Sequence, residues 1–475
     1  MNNDNSRTGY ATSGRRQRIA RRTTAAAAAM VLAALGVAPA VAQQPTDQQP
    51  TAQRSIDRQP TSQQSTDRQP TAQRSTDPQL SAQRSTGRRS TARQPATAPD
   101  LRAAHGRGTL LSITPVADLD RADVARFLAS GGMDTATVRH GLRGYRLTYR
   151  TVTPQGAPTT ATGLLALPKG GPHRLDLVSD THGTMAHRDY APSVGEDFGR
   201  FAPYLHASAG RAVAAPDYLG LGKGPGRHPY MDTKSSVTAS LDMLRAARTA
   251  ARRLGRPLTG DVYASGFSQG GQVAMALGKA LDGGADRHFE LRAIAPVSGP
   301  YDIEHAETPA LFDGRVNNIS AVFYMSYYLT AQSRLHPLYK DPSEAFRKPY
   351  ADIVDGLFDS EHTEEEIIPA LPATLKELLT DDYYRRLQHL SGGLLDAALA
   401  QDGNCAWKPD VPVRLYSSSG DTDVPIANAR NCAADLAARG VDAPVVDQGP
   451  ADHNTTYMKS GPEIVRWFDT VAARR

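Results

Sequence analysis

The chain has 475 residues, a formal net charge of +5 and only two cysteines. The charge divides unevenly: residues 1–100 carry 14 Arg and 6 Asp with no Lys or Glu, whereas residues 101–475 carry 40 basic against 43 acidic residues. This argues against a nucleic-acid-binding domain, because such domains concentrate Lys and Arg on one face. The sequence also has no C-x-x-C, no H-E-x-x-H and no His-rich cluster, so we expect no protein-held metal.

Residues 1–42 have the pattern of an export signal. Five arginines within Arg15–Arg22 precede the small-residue apolar run Ala25–Ala38, and Ala40–Ala42 forms an A-x-A cleavage site. The pattern predicts a secreted protein, and the two adjacent arginines that open the cluster are compatible with twin-arginine export. An uncleaved membrane anchor is the disfavoured alternative, because the apolar run is short and rich in alanine.

Residues 43–99 repeat with a period of ten, in the units TAQRSIDRQP, TSQQSTDRQP, TAQRSTDPQL and SAQRSTGRRS. Few apolar residues and recurrent proline cannot form a core, so we expect a disordered linker. The alternative is that its arginines contact an anionic cell surface.

Residues 100–475 are predicted to form one folded domain, because strands and helices alternate along them. A helix over Leu119–Ser130 is followed by a hairpin of two strands, and long helices are expected at Ser235–Leu254 and Gly461–Ala473. The alternation predicts an α/β fold with a mainly parallel sheet flanked by helices. The expected strands, apart from the one before Ser268, are Arg146–Thr153, Ala161–Leu167, Arg174–Thr181, Arg211–Ala215, Leu291–Val297, Val411–Tyr416 and Pro444–Val446.

The alternation stops between Gly299 and Asp410, where the sequence is helical and rich in aromatic residues. We expect a helical cap at about 304–405, inserted over the carboxyl ends of the strands, where open α/β sheets bind ligands. The aromatic cluster Phe323–Tyr328 could line an acyl pocket or form the core of the cap itself. The acidic run Glu361–Glu366 is interpreted as a solvated helix start.

The stretch Asp261–Gly271 carries the central motif. An apolar, β-prone run leads into Gly266-Phe267-Ser268-Gln269-Gly270, a G-x-S-x-G, and a good helix former follows. Strand, G-x-S-x-G and helix in this order predict a nucleophile elbow, which presents the serine hydroxyl on a sharp turn above the sheet. The alternative is a structural serine in a tight turn.

Ser268 needs a base and an orienting carboxylate, which follow in the order Ser, Asp or Glu, His in hydrolases of this architecture. Asp421 and Asp423 lie in the loop after the strand Val411–Tyr416, and His453 lies in the next such loop. We favour Asp421 as the acid, with Asp423 as the alternative. Asp452 is expected to cap or to hydrogen-bond locally.

An oxyanion hole needs two backbone donors. Thr181-His182-Gly183-Thr184 follows a predicted strand, at the position of the H-G motif of such hydrolases, and glycine permits an unusual backbone conformation there. We assign the N–H groups of Thr184 and Gln269 to the hole, and we expect His182 to pack in the loop.

Cys405 and Cys432 are 27 positions apart and flank the loop of Asp421. In an exported chain we expect them to form a disulfide that fixes this loop. The alternative is a pair of buried thiols.

Taken together, these motifs resemble the secretory-lipase group of α/β-hydrolases, which are esterases and lipases of bacteria and fungi. The resemblance covers most of residues 100–475 and implies an α/β-hydrolase fold with a helical cap that sets acyl specificity. It supports Ser268, Asp421 and His453 as the catalytic triad. The stretches that carry it are His182–Thr184 with Arg188–Ser193, Ala215–Gly222, His228–Tyr230, Gly266–Gly271, and Asp421–Pro425 with His453.

The sequence therefore predicts a secreted serine hydrolase that cleaves small-molecule or lipid esters through an acyl-enzyme on Ser268, as a monomer and without a cofactor. One alternative is a secreted peptidase or amidase, because the same triad cleaves amides. A second, less favoured alternative is an inactive surface-binding protein; the intact Ser, Asp and His argue against it.

Overall fold

The computed structural model describes residues 106–474. The predicted export signal at 1–42 and the predicted linker at 43–99 lie outside the described residues. Within 106–474, no helix is long and apolar enough to cross a membrane.

Nine strands form one sheet in the order β1-β2-β3-β5-β4-β6-β7-β8-β9. The first three strands and the contact of β3 with β5 are antiparallel, and all the remaining pairs are parallel. The predicted mainly parallel sheet is thus confirmed. The strands are β1 Leu110–Leu119, β2 Leu142–Val152, β3 Pro158–Pro168, β4 Leu175–Thr181, β5 Ala212–Pro216, β6 Leu258–Phe267, β7 Glu290–Val297, β8 Leu415–Ser417 and β9 Val445–Asp447.

Helices cover both faces of the sheet, as predicted. On one face lie α1 (Arg121–Ser130), α2 (Phe201–Ser208) and α14 (His453–Ala472), which bury residues such as Leu128 and Phe468 against the strands. The other face is covered by α3 (Thr233–Arg253), α4 (Gln269–Asp282) and α13 (Ala427–Ala437). Burial on both faces explains why the central strands are short continuous apolar runs; all five residues of β5, AVAAP, are buried.

A run of short helices lies between β7 and β8 and has a hydrophobic core of its own. Tyr327 belongs to this core, where its ring stacks on those of Tyr230 and Phe358 at centroid distances of 4.2 and 4.7 Å. The elements are a π-helical turn at Ile303–Glu307, α5 Thr308–Asp313, α6 Asn318–Ser333, α7 Pro342–Ala345, α8 Tyr350–Leu357, α9 Glu364–Ala370, α10 Leu375–Leu378, α11 Asp381–Gln388 and α12 Gly393–Gln401.

Two elements differ from the sequence expectation. Strand β1 was not predicted, because it is an edge strand with only one buried residue and contains Pro115, so it lacks the apolar alternation of a half-buried strand. Helix α14 begins at His453, eight residues before the expected start at Gly461. The Asp452 side chain caps it by accepting a hydrogen bond from the Thr455 amide, and the helix continues through Pro462.

Candidate active site

Ser268 lies between the end of β6 and the first residue of α4. Its backbone has φ 57° and ψ −124°, in the left-handed region that a residue with a Cβ rarely adopts. The turn is held on both sides: the Ser268 amide donates to the Val297 carbonyl at 2.9 Å, and its carbonyl accepts from the Gly271 amide at 2.8 Å. This is the sharp strand-to-helix turn that a G-x-S-x-G requires.

The two glycines of the motif allow β4 to approach the turn closely. A Cβ on Gly270 would lie 1.9 Å from the carbonyl oxygen of Thr181, and one on Gly266 would lie 2.2 Å from the Thr181 hydroxyl. That hydroxyl donates to the Gly270 carbonyl at 2.7 Å. No side chain fits at either position without moving the end of β4, so the chain needs glycine on both sides of Ser268.

Asp421 and His453 are in direct contact. The Nδ1 atom of His453 lies 2.8 Å from Oδ2 of Asp421, and both side chains are buried. The other carboxylate oxygen of Asp421 accepts from the amides of Asp423 and Val424 at 3.0 and 2.9 Å. The carboxylate is thus held by three donors, in the turn that follows β8.

The second ring nitrogen of His453 is left free by this arrangement. His453 Nε2 is buried and has no hydrogen-bond partner among residues 106–474. His453 and Ser268 line the same cavity, and the His453 ring packs against Phe267 at a centroid distance of 4.5 Å. A neutral imidazole held at Nδ1 by a carboxylate presents Nε2 as a proton acceptor, which is the requirement for a base that activates a serine.

The electrostatics of the pair favour a charged imidazole. Burial acts to lower the pKa of His453, but the charge and hydrogen bond of Asp421 outweigh burial and raise this pKa from 6.5 to about 9. Burial acts to raise the pKa of Asp421, and the charge and hydrogen bond of His453 more than offset it, so that pKa is lowered. The site therefore stabilises the imidazolium that forms when His453 takes a proton.

Asp423, the alternative acid of the sequence analysis, has different partners. Its carboxylate accepts from the Asn317 side-chain amide at 2.8 Å and from the Ser320 hydroxyl, both at the beginning of α6. Asp423 thus ties the loop of Asp421 to the helical region. Oxygen and nitrogen atoms of Asp421, Asp423 and His453 lie within 4.8 Å of one another, a spacing a cation could use, but the hydrogen bonds described above account for their orientation.

The loop after β4 lies against Ser268. A Cβ on Gly183 would be 3.2 Å from the Cβ of Ser268, and the next residue, Thr184, lines both cavities that reach the serine. The Thr184 hydroxyl bonds with the Tyr230 hydroxyl at 2.9 Å, which fixes the loop. Gln269 is the first residue of α4, so its N–H has no carbonyl one turn earlier to bind within the helix.

His228 supports the site, and the sequence did not indicate this role. Its Nδ1 is 2.9 Å from the Leu219 carbonyl, and its Nε2 is 3.2 Å from Nε2 of Gln269. Burial lowers the pKa of His228 to about 3, so the ring is neutral and can accept from the glutamine amide. His228 thereby orients the residue directly after Ser268.

The placement of His182 agrees with a packing role. The ring is buried, its Nδ1 lies 2.7 Å from the Gly183 carbonyl, and it packs against the Tyr218 ring at a centroid distance of 4.3 Å and an interplanar angle of 40°. Burial lowers the pKa of His182, which keeps the ring neutral. His182 supports the loop that carries Thr184.

Two cavities meet at Ser268. The first is lined by His453 and is called the His453-side cavity; the second is lined by Gln269 and is called the Gln269-side cavity. The His453-side cavity is also lined by Met185, Tyr190, Asp197, Phe198, Phe323, Glu364 and Asn454. The Gln269-side cavity is lined mainly by apolar residues, together with the two acidic residues Glu307 and Asp423. The apolar residues are Met231, Pro300, Ile303, Leu311, Val316, Met325 and Tyr328.

The aromatic cluster Phe323–Tyr328 contributes both to the cavity walls and to the core of the helical region. Its predicted part in an acyl pocket stays a prediction. Phe323 lines the His453-side cavity, Tyr328 lines the Gln269-side cavity, and Tyr324 lines both. Tyr327 belongs to the core of the helical region.

Two buried carboxyl groups beside the cavities were missed by sequence reasoning. Burial, with the Asp421 charge, raises the pKa of Glu307 to about 8, and the Asn428 side chain donates to Glu307 at 2.6 Å. The interpretation of Glu361–Glu366 as a solvated helix start was wrong for Glu364. Its carboxylate is turned inward and accepts from the Ala186 amide at 2.8 Å. The three consecutive glutamates at this helix start give no sequence signal that one of them faces inward.

Cys405 and Cys432 form a disulfide, as predicted, with their Cα atoms 5.2 Å apart. The bond joins the segment that follows α12 to the middle of α13. It therefore closes a covalent ring around β8 and the loop of Asp421.

Comparison of the whole chain with solved structures finds proteins of similar fold. The rice cell wall degrading esterase LipA from Xanthomonas oryzae shares 28% identity with the chain at a TM-score of 0.68, over 78% of this chain and 99% of that one. A Legionella pneumophila protein provisionally assigned as a hydrolase shares 26% identity at a TM-score of 0.71, over 76% and 98%. Candida antarctica lipase A, with 15% identity and a TM-score of 0.54 over 74% and 78%, shares the fold.

No protein-family model matches the chain, and no curated protein matches it. The structural similarities nevertheless confirm the α/β-hydrolase fold, and the similarities above 25% identity support an esterase-like hydrolase.

Proposed function

We propose that the chain is a serine hydrolase that cleaves carboxylic esters through an acyl-enzyme on Ser268. The observation that carries the proposal is the His453–Asp421 contact of 2.8 Å, which leaves a buried, unpartnered Nε2 in the cavity that Ser268 lines. The strained turn at Ser268 and the esterases among the similar structures support it.

In the proposed reaction, Ser268 Oγ attacks the ester carbonyl carbon while His453 Nε2 takes the hydroxyl proton. The amides of Thr184 and Gln269 stabilise the oxyanion, and Asp421 stabilises the imidazolium. When the carbon–oxygen bond breaks, His453 gives the proton to the departing alcohol and the acyl group stays on Ser268. Water then attacks by the same route, and the carboxylic acid is released. No cofactor is required.

The test is hydrolysis of 4-nitrophenyl esters from acetate to palmitate. Wild type should turn over at least part of the series, and Ser268→Ala should be inactive with an unchanged melting curve, because only the attacking oxygen is removed. Ser298→Ala is the matched control: this buried serine follows the neighbouring strand β7 and lines neither cavity. A chain-length optimum among short acyl groups would indicate an esterase, and one among long acyl groups a lipase.

A fluorophosphonate provides a second readout that does not depend on the choice of ester. It should add one phosphonyl group to wild type and to Ser298→Ala, and none to Ser268→Ala. Residual ester hydrolysis in Ser268→Ala close to that of wild type would reject Ser268 as the nucleophile.

A peptidase or amidase is the second candidate, and one observation favours it. Glu364 and Asp197 line the His453-side cavity and Glu307 lines the Gln269-side cavity, so an acidic group on either side of Ser268 could bind the amine of a peptide substrate. Aminoacyl anilides should therefore be assayed beside the esters. Turnover of anilides by wild type without turnover of any ester would put the amidase first.

We also propose that the chain is exported. The pattern of residues 1–42 and the Cys405–Cys432 bond support this, because structural disulfides persist in oxidising compartments. Protein recovered from the medium of producing cells should begin at Gln43. Retention of the full-length chain inside the cells, with reduced cysteines, would contradict export.

A further inference from the structure

The two cavities at Ser268 differ in chemistry, and the position of His453 tells which part of an ester each would hold. In the proposed reaction His453 must protonate the departing alcohol, so the alcohol portion has to lie beside His453. His453 and Asn454 line only the His453-side cavity, whereas Gln269 lines only the Gln269-side cavity. The alcohol portion therefore belongs in the His453-side cavity and the acyl chain in the apolar Gln269-side cavity.

Glu364, at the first turn of α9, lines the His453-side cavity. One oxygen of Glu364 accepts from the Ala186 amide at 2.8 Å, which holds the side chain inward. The other oxygen, Oε2, is buried and has no hydrogen-bond partner among the described residues. A buried carboxylate oxygen without a donor is costly, so a donor supplied by a bound molecule would relieve the cost.

The neighbours of Glu364 make the same wall acidic. Asp197 lines the cavity with it, and burial together with the nearby Glu365 and Asp197 raises the pKa of Glu364 to about 7. Neither cavity is lined by Lys or Arg within residues 106–474. An anionic alcohol portion would therefore meet carboxyl groups without any compensating lysine or arginine.

We propose that the His453-side cavity selects esters whose alcohol portion carries a hydrogen-bond donor, an ammonium or a hydroxyl group, and that Glu364 receives this donor. The inference rests on the proposed ester hydrolysis and adds to it the class of alcohol. Glu364 is a specificity-determining residue in this account and takes no part in the chemical steps.

The test compares butyrate esters that differ only at the far end of the alcohol. The alcohols are hexan-1-ol, hexane-1,6-diol, 6-aminohexan-1-ol and 6-hydroxyhexanoic acid, with the three-carbon analogues covering a shorter reach. Release of acid in a pH-stat gives kcat/KM for each ester. Hydrogen bonds to a charged group predict that wild type prefers the amino or hydroxy ester to the plain alkyl ester by about 10-fold or more, with the carboxylate ester the poorest.

Glu364→Gln keeps an oxygen for the Ala186 amide and removes the charge, so the preference should fall towards onefold. Glu361→Gln is the matched control, because it removes the same charge within the same acidic run from a carboxylate that pairs with Arg188 at 2.7 Å and lines neither cavity. It should keep the wild-type preference. If wild type prefers only the amino ester to the plain alkyl ester, the donor that Glu364 receives is a cation. If it prefers the amino and hydroxy esters equally, a neutral donor is sufficient.

Wild type that shows no preference for the donor-bearing esters, or prefers the carboxylate ester, would overturn the inference while leaving ester hydrolysis intact. So would a preference that Glu364→Gln retains. If Glu364→Gln fails to fold, the wild-type ratios alone decide. Wild type that hydrolyses none of these esters and no 4-nitrophenyl ester would instead reject the proposed function, and this inference with it.

Discussion

Replacing Asp421 by asparagine tests the hydrogen bond at the centre of the site. Oδ1 of Asp421 accepts from the amides of Asp423 and Val424, so an asparagine oxygen would stay there and its NH2 group would face His453. That NH2 group can only donate, which makes Nδ1 of His453 the acceptor and moves the imidazole proton to Nε2. The base would then have no lone pair for the hydroxyl of Ser268.

The raised pKa of His453 indicates how much activity this replacement should remove. Asp421 is the main reason that the pKa of the buried His453 is raised from 6.5 to about 9. At 1.36 kcal/mol per pKa unit, this corresponds to about 3 kcal/mol of imidazolium stabilisation. Together with the tautomer reversal, we expect kcat to fall by a factor on the order of 10⁴, the effect of the same replacement in a serine protease with a Ser-His-Asp triad.

The assay is kcat and KM for 4-nitrophenyl butyrate as a function of pH. Wild-type kcat/KM should rise with pH as His453 loses its proton, with a midpoint above the ordinary 6.5. In Asp421→Asn the residual activity should rise at lower pH, because the charge that raised the pKa is gone. Asp423→Asn is the control, since Asp423 binds Asn317 and Ser320 and not His453. The reasoning would be refuted if kcat fell less than tenfold in Asp421→Asn, or if it fell further in Asp423→Asn than in Asp421→Asn.

Two further changes test the scaffold around the site. Gly270→Ala should destabilise the fold by about 1–3 kcal/mol or more, because its Cβ would lie 1.9 Å from the Thr181 carbonyl oxygen. The control Gly356→Ala, whose Cβ would have no atom within 4 Å, should melt at or above the temperature of wild type. Equal melting temperatures of the two variants would count against close packing at Gly270. Reducing the Cys405–Cys432 bond should lower the free energy of unfolding by about 3 kcal/mol, because the bond joins residues 27 positions apart. Melting curves recorded with and without reductant measure this effect. An unchanged curve would show that the bond does not constrain the unfolded chain.

The elements that sequence predicted well are those whose local chemistry is distinctive. The strand, turn and helix around Ser268 are specified within eleven residues by two glycines and a change of hydrophobic period. The order of strands after it places Asp421 and His453 at the same edge of the sheet. Edge strand β1 lacks such a pattern, and the start of α14 is set by a single capping aspartate, Asp452, which sequence alone does not distinguish from a loop residue.

The parts that sequence could not predict depend on packing between distant segments. Asp421 and Asp423 occur two residues apart in one turn, and only the docking of α6 gives Asp423 partners other than His453. The inward side chain of Glu364 likewise depends on an amide 178 residues away, that of Ala186. No periodicity within an acidic run specifies such a contact.

The place where the helical region joins the sheet bears on how this enzyme could be redesigned. The chain leaves the sheet at Val297 and returns in β8, whose Tyr416 is paired directly with Val297. The exit and return points are therefore neighbours, and Ser268, Asp421 and His453 all lie outside the interval between them. The segment from Ile303 to Gln401 is thus an insertion between two adjacent strands. An unrelated insert with closely spaced ends could be grafted in its place. The walls of the cavities would change, while the proposed nucleophile, base and acid would keep their attachment to the sheet.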